Sequence, residues 1–438
     1  MSANPSLVAR AATGRYRWTI CAMMFFATTI NYMDRQMLGL LAPLLQKDIG
    51  WTQVQYAETV MVFTVAYALG LAVFGRIADK VAEKGVYGTA MAMWSVAAML
   101  HALASTVPGF AAVRGLLGFS EASNFPVAIR TTAVWFPKKE RALATGIWNM
   151  GATIGGIIAP AFVPIVAVTW GWRAAFILGG ITGFIWLVVW MIIYRPPTVN
   201  PGVSKEELAY INSDTGGAAS AEAKVGWLSV LRYRETWAFM VGKFMTDPIW
   251  WFYLFWLPKW LNESNHIDIQ DMGMPLMVIY VMSCIGSVLG GWVSSKLLAR
   301  TQRPNFARKL TMLVCAICVM PIALLSQVQT LTFAVLAVGL AAAAHQGWSA
   351  NLVTLVSDVF PKRAVGTVIG IGGVMGMLGS FLFSGVIGET LQRTGQYWAL
   401  FAVGALAYIV ALAIMHVLMP RMTPVQLRED SSRVIGLG

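Results

Sequence analysis

The sequence predicts an all-α membrane protein, twelve transmembrane helices in two pseudo-symmetric six-helix bundles, and three observations predict it. Of the 438 residues, 57% are hydrophobic and 12% charged, far from the balance of a soluble globular chain. Twelve stretches are apolar over the roughly 20 residues that a helix needs to cross about 30 Å of hydrocarbon. Motifs of the first half of the chain also recur in the second.

Spans are expected over 18–45, 53–78, 86–105, 108–134, 142–166 and 174–194, then over 236–261, 273–299, 310–326, 328–356, 364–388 and 396–419. The longest break opens with Pro196-Pro197 and carries Gly, Ser, Ala and charges. It divides the chain into an N-terminal bundle (1–195), a linker (196–235), a C-terminal bundle (236–420) and a tail (421–438). Within the linker, Ser204-Lys205-Glu206-Glu207 has the pattern of a capping box, which starts a short helix.

A net charge of +12 would suggest nucleic acid in a soluble protein, so the placement of the basic residues decides. Of 32 Lys and Arg, counting those within three residues of a span end with the adjoining segment, 24 fall on the amino-terminal side of this topology, 4 on the opposite side and 4 inside helices. This is the positive-inside bias. It places both termini and the linker in the cytoplasm and the chain in a cytoplasmic (inner) membrane, with the lipid bilayer as its surroundings and no nucleic-acid partner; a monomer is expected. Residues 1–17 are polar, with Arg10, Arg15 and Arg17, and the apolar run that follows contains Asp34 and Arg35, so it reads as a retained first helix and not a signal peptide. Cys21, Cys284, Cys315 and Cys318 all lie in apolar stretches and read as buried thiols. No triad, phosphate-cradling loop or metal-ligand spacing is present, so no cofactor is expected. Asn262-Glu263-Ser264 is a glycosylation acceptor only if the chain is eukaryotic.

Phe136-Pro137-Lys138, Gly146 and Gly155 recur as Phe360-Pro361-Lys362, Gly370 and Gly379 at an offset of 224, and Gly75 to Lys80 recurs as Gly291 to Lys296 at an offset of 216. Repeats in one sense along the chain are the trace of two parallel six-helix halves that rock about a central site. Gly151 and Gly155, Gly286 and Gly290, and Gly372, Gly376 and Gly379 have close-packing spacings that serve either rocking or static packing.

Ionisable groups at bilayer depth are costly unless paired or hydrated, which makes each a functional candidate. Asp34 and Arg35 fall near mid-depth in the first span and Glu121 in the fourth. Arg114 lies seven residues before Glu121, about two helical turns, so the two project from nearly one face. Asn31, Asn124 and Tyr67 add neutral hydrogen-bonding groups at this depth. A structural ion-pair network is the competing reading. In the seventh span Lys243 and Asp247 are i, i+4 neighbours beside Pro248, as a local pair or as substrate contacts. Trp250, Trp251, Tyr253 and Trp256 can stack on a ring or face lipid. In the tenth span His345, Gln346, Trp348, Ser349 and Asn351 interrupt apolar sequence. They suggest hydrogen bonds to hydroxyl groups, with a buried core histidine as the alternative for His345. His101, His266 and His416 lie near helix ends and attract no role. Asp79 with Lys80, and Lys138 to Arg141, are charges able to bridge helix ends as a conformational latch; Arg130 is a latch residue or a snorkelling one.

Gly75-Arg76-Ile77-Ala78-Asp79-Lys80 between the second and third spans resembles the signature loop of the major facilitator superfamily, although Ala82 stands where the family usually has a glycine. Asn31-Tyr32-Met33-Asp34-Arg35, Arg114 with Glu121, and Trp135 to Arg141 resemble its anion:cation symporter branch. Lys243 to Trp251 and His345 to Asn351 resemble the hexuronate transporters within that branch. The resemblance implies the major facilitator fold and alternating-access proton symport of a sugar acid such as glucuronate or galacturonate. Asp34 and Glu121 would carry the proton, the only coupling ion. Arg35 and Arg114 would hold the carboxylate, and Tyr32, Tyr67, Asn124, Lys243, His345, Trp348, Ser349 and Asn351 would line the rest of the site. The rival expectations are symport of another organic anion (an aldonate, aldarate or aromatic carboxylate) and a membrane-embedded sensor or enzyme, for which 438 residues offer neither an output domain nor a reactive constellation.

Overall fold

A computed structural model describes residues 14–213, 226–325, 327 and 330–427, without the side chains of Asp79, Ala142, Asn265 and Lys362. No strand occurs among them. Helices are what hydrocarbon demands, since each backbone N–H and C=O must then be satisfied within its own segment.

The N-terminal half consists of α1 (Tyr16–Ile49), α2 (Gln53–Lys80), α3 (Glu83–Leu100), α4 (Val107–Glu121), α5 (Asn124–Trp135), α6 (Lys138–Trp170) and α7 (Trp172–Ile193). Two short linker helices follow, α8 (Lys205–Ile211) and α9 (Trp227–Val230). The C-terminal half is α10 (Arg234–Asn265), α11 (Gly273–Thr301), α12 (Pro304–Val319), α13 (Leu331–Val359), α14 (Lys362–Thr394) and α15 (Trp398–Leu418). These are the twelve spans, with α4 and α5 forming the fourth. Among the described residues nine helices are long and apolar enough to cross a membrane. The spans outside that set are α1 and α10, which carry Asp34, Arg35, Lys243, Asp247 and Lys259, and the fourth, which is broken at Ala122-Ser123 immediately after Glu121. The polar residues that lower the hydropathy of α1 and α10 include those at the centre of the molecule. Chain reversal between spans can be abrupt: Gly171 alone separates α6 from α7 at φ +83°, a conformation that favours glycine.

Helix pairing repeats between halves. α1 packs on α6 as α10 packs on α14, α2 on α4 as α11 on α13, and α3 on α7 as α12 on α15. Glycine contacts fix the equivalence residue by residue. A Cβ on Gly155 would strike the Thr29 carbonyl oxygen, and one on Gly379 the Phe244 carbonyl oxygen. Gly70 meets the Phe119 carbonyl as Gly286 meets that of Ala343. Gly179 faces Asp34 as Gly404 faces Ile249. Thr29, Asp34 and Phe119 thus correspond to Phe244, Ile249 and Ala343. Counting from them, Arg35 corresponds to Trp250, Glu121 to His345 and Arg114 to Val338.

The halves meet along α2 with α14, α6 with α11, and α1 with α10. Their mutual hydrogen bonds cluster at the end of the bundle away from the chain termini. Tyr56 Oη donates to the Phe255 carbonyl at 2.6 Å, and Gln53 N donates to Gln392 Oε1 at 3.1 Å. Lys259 Nζ, on a side chain only 1% exposed, donates to Gln53 Oε1 at 2.8 Å and Gln46 Oε1 at 3.3 Å. Glu263 approaches that ammonium at 3.8 Å and accepts from Tyr397 Oη at 2.7 Å. At the other end the linker helix docks on the N-terminal half. Ser204 Oγ accepts from Glu207 N at 3.1 Å, as a capping box requires. The Glu207 carboxylate instead caps α1, accepting from the backbone of Tyr16 at 3.3 Å and Arg17 at 3.1 Å, while Arg17 Nε reaches Glu140 at 2.9 Å.

Two expectations need correction. The fourth span is not a continuous helix, because it breaks after Glu121. The cysteines are not uniformly buried: Cys21 and Cys315 are, but Cys284 is exposed on the outer face of α11. The positions of Arg10 and of the tail beyond residue 427 lie outside the described residues.

Candidate functional site

The centre of the N-terminal half holds four charged side chains with almost no exposure: Asp34 at 1%, Arg35 at 4%, and Arg114 and Glu121 at 0%. Arg35 crosses from α1 to the end of α4 and donates from both Nε and Nη2 to Glu121 Oε2, each at 3.2 Å. Nη2 also donates to Asn31 Oδ1 at 3.0 Å, and Asn31 Nδ2 donates to the Glu121 backbone carbonyl at 3.2 Å. The guanidinium is surrounded by rings, with centroids at 4.6 Å for Tyr67, 4.8 Å for Tyr32, 5.7 Å for Phe63 and 5.9 Å for Trp251 of the opposite half. Cation–π contacts of this kind gain strength where water is excluded.

What remains unpartnered is as informative. Nε, Nη1 and Nη2 of Arg114 have no hydrogen-bond partner, nor has Oε1 of Glu121, nor either carboxylate oxygen of Asp34. Burying such groups unpaired costs on the order of several kcal/mol each. Asp34 and Arg35 are adjacent but project about 100° apart, so Asp34 lies against Gly179 in the core of its own half while remaining within electrostatic reach of Glu121 and Arg114. The Trp94 indole N–H is directed at Asp34, and His101 Nε2 is buried in the same half without a partner. His101, to which sequence reasoning gave no role, is fully buried. It stacks on Phe176 at 4.8 Å and contacts the Ala97 carbonyl through Nδ1 at 2.7 Å.

The structure does not bring every predicted residue to the centre. Asn124 is committed between α1, α3 and α5, accepting from Tyr87 Oη at 2.6 Å and donating to Thr28 Oγ1 at 3.2 Å. Asn351 donates to the Gly290 and Gly347 carbonyls at 3.1 and 2.9 Å, where α11 and α13 touch. Trp348 is fully buried against Tyr408, whereas Ser349 is half-buried. The C-terminal half does present Lys243 paired with Asp247 at 2.6 Å, both side chains 17–18% exposed. Near them His345 lies parallel to Trp250 at 5.3 Å and 11°, its Nδ1 2.6 Å from Tyr408 Oη.

The residues expected to form a latch have these contacts. Arg130 Nε donates to Glu83 Oε1 at 2.6 Å, with Tyr194 Oη on the other oxygen at 3.2 Å, so it ties α5 to α3 and α7 within one half. Arg141 donates to the carbonyls of Phe136 and Ala133 at 3.0 and 2.8 Å, closing the end of α5. Lys80 is exposed, and the Asp79 side chain lies outside the described residues. No group of three or more His, Cys, Asp or Glu able to hold a metal occurs among the described residues. A largely apolar cavity of about 700 Å³ between α2, α4 and α14 is lined by Val62, Val65, Leu69, Val107 and Phe381, with Gln55, Glu58 and Thr59 as its polar members, and contains none of the four central charges.

Two pseudo-symmetric helical halves around enclosed charges define a polytopic membrane transporter. The chain belongs to the Major Facilitator Superfamily, whose sequence profile matches residues 24–384. It is 27% identical to the hexuronate transporter of Escherichia coli K12 over 95% of this chain and 96% of that one. It is 29% identical to a D-galactonate transporter of Escherichia coli over 92% and 96%. In fold it is similar to the inward open conformation of the xylose transporter XylE from E. coli, with a TM-score of 0.73 at 13% identity over 95% and 99% of the chains.

Proposed function

We propose that this transporter imports a sugar acid, a hexuronate such as glucuronate or galacturonate, by proton symport across a cytoplasmic membrane, with both termini inside and as a monomer. The observation that carries this reading is an asymmetry. The two halves share one scaffold, yet Asp34 and Arg114 correspond to Ile249 and Val338 in the other half, so packing of this fold does not require charges at those positions. Charges kept at such cost, three of Arg114's donors being unpaired, are accounted for by an anionic cargo and a proton. The names of the relatives supply the chemical class of the cargo.

The coupling follows from competition for Arg35. A substrate carboxylate that takes this guanidinium, with Arg114 behind it, matches the planar fork of each arginine. Glu121 then loses the two bonds that balance its charge, and an enclosed carboxylate without its cation is neutralised by a proton. Proton and anion therefore favour each other's binding, and the linkage is reciprocal. The closed seam at the end away from the termini supports a site that opens toward the cytoplasm, where both leave. Asp34 is the second carboxylate available for the proton, one step deeper in the N-terminal half.

Uptake of labelled sugar acids into proteoliposomes, with and without an inward proton gradient, tests the proposal. Accumulation of a hexuronate that depends on the gradient is expected. Equal uptake without the gradient rejects symport, and no uptake of any acid rejects the cargo.

A further inference from the structure

The internal two-fold relation of the chain gives the ion pair of Arg35 and Glu121 a counterpart in the other half. Arg35 lies six residues after Thr29 and Trp250 six after Phe244; Glu121 lies two after Phe119 and His345 two after Ala343. In each half the two residues touch: an ion pair at 3.2 Å on one side, parallel rings 5.3 Å apart at 11° on the other. Because the halves share a scaffold, both pairs look toward the same central axis, which Trp251 also approaches from the C-terminal half.

The Trp250–His345 unit is built to stay flat. His345 is held through Nδ1 by Tyr408 Oη at 2.6 Å, and Trp250 is backed edge-on by Tyr280 at 6.3 Å. Trp250 is only partly buried, unlike His345 at 4% exposed, so the indole is the accessible member of the unit. On the same helix Lys243 and Asp247, 2.6 Å apart and 17–18% exposed, offer ammonium donors and carboxylate acceptors suited to hydroxyl groups. The carboxylate occupies the place of a side chain at Gly376, whose Cβ would collide with it. By the two-fold relation, the charged grip of one half has as its counterpart a flat aromatic wall in the other, with a hydroxyl-binding pair beside it.

We propose that Trp250, stacked on His345, is a specificity-determining platform that selects sugar acids in ring form over open-chain acids of the same size; this rests on the cargo reading above. A pyranose ring presents a rigid face of C–H groups that covers an indole well. An open-chain polyol must freeze several rotors to lie equally flat, and that ordering cost subtracts from its affinity. Lys243 and Asp247 would then read the hydroxyls at the ring edge while Arg35 holds the carboxylate.

The test is competition against uptake of a labelled hexuronate in proteoliposomes. One competitor is a uronate locked as a ring by its methyl glycoside; the other is a six-carbon open-chain aldonate. The ring-locked acid should compete roughly three- to tenfold better in the native protein. Trp250→Leu should bring that ratio to about one, and Trp250→Phe, with a smaller ring, should give an intermediate value. A ratio near one in the native protein, or a ratio unchanged in Trp250→Leu, overturns the platform while leaving the transport reading intact. Absence of labelled uptake in the native protein overturns the cargo reading and the platform with it. If Trp250→Leu does not fold, the ratio in Trp250→Phe decides.

Discussion

Arg35 spends Nε and Nη2 on a single oxygen of Glu121, each at 3.2 Å, and leaves the second oxygen of that carboxylate enclosed and unpartnered. The pair is complete enough to hold α1 against the end of α4, yet open enough to exchange partners.

Arg114 is the other cation of this cluster, fully buried with three unpaired donors. Lysine keeps the charge and loses the planar fork. Arg114→Lys is expected to weaken substrate binding roughly tenfold to a hundredfold while expression and insertion persist. Binding close to that of the native protein, measured by calorimetry on purified protein, would remove Arg114 from the anion site.

The seam away from the termini depends on Lys259, whose ammonium bonds Gln46 and Gln53 of the opposite half. Val60 is fully buried on the face of α2 that carries Tyr56 and Phe63. A cysteine at Val60 should react slowly with a maleimide, and Lys259→Met should speed that reaction roughly tenfold by releasing charge-assisted bonds. An unchanged rate would show that Lys259 does not hold the seam closed.

Close packing makes a sharper contrast among glycines. At Gly286 a side chain would run into the Ala343 backbone, whereas at Gly370 nothing lies within 4 Å. Gly286→Val is therefore expected to lower the yield of folded protein severely, and Gly370→Ala to leave it unaltered, as size-exclusion profiles in detergent will register. Equal yields would contradict the observed contact of α11 with α13.

Orientation is open to direct labelling. In a background without the native cysteines, Asp268→Cys should react in intact cells and Ser213→Cys only after permeabilisation. Reaction of both in intact cells would refute the proposed topology.

The twelve spans, the two halves and the enclosed charges were legible in the sequence because apolar length, basic-residue bias and repeated glycine motifs each leave a linear trace. Contacts between spans leave none. Asp34 and Arg35 are neighbours in the chain, yet 100° of rotation sends one into the core of its half and the other to the centre. The break at Ala122-Ser123 did have a sequence signal, Pro126, whose missing N–H deprives the Ala122 carbonyl of its helical partner. Lys259 drew no role from the sequence, although Glu263 at i+4 was the available signal. His101 had no sequence signal at all, since only folding places Phe176 across its ring. Glu207 was read as half of a capping box, but its carboxylate caps a helix nearly two hundred residues away.

In the proposed coupling Glu121 exchanges its arginine for a proton as the substrate binds, and Glu121→Gln probes that exchange, since Gln keeps the shape and mimics the protonated form. Gradient-driven accumulation and counterflow between two loaded compartments should be measured on the same purified variant. Accumulation should be abolished while counterflow continues. Full gradient-driven accumulation by Glu121→Gln would contradict that exchange and pass the coupling role to Asp34, and loss of both activities together would reduce Glu121 to a structural partner of Arg35.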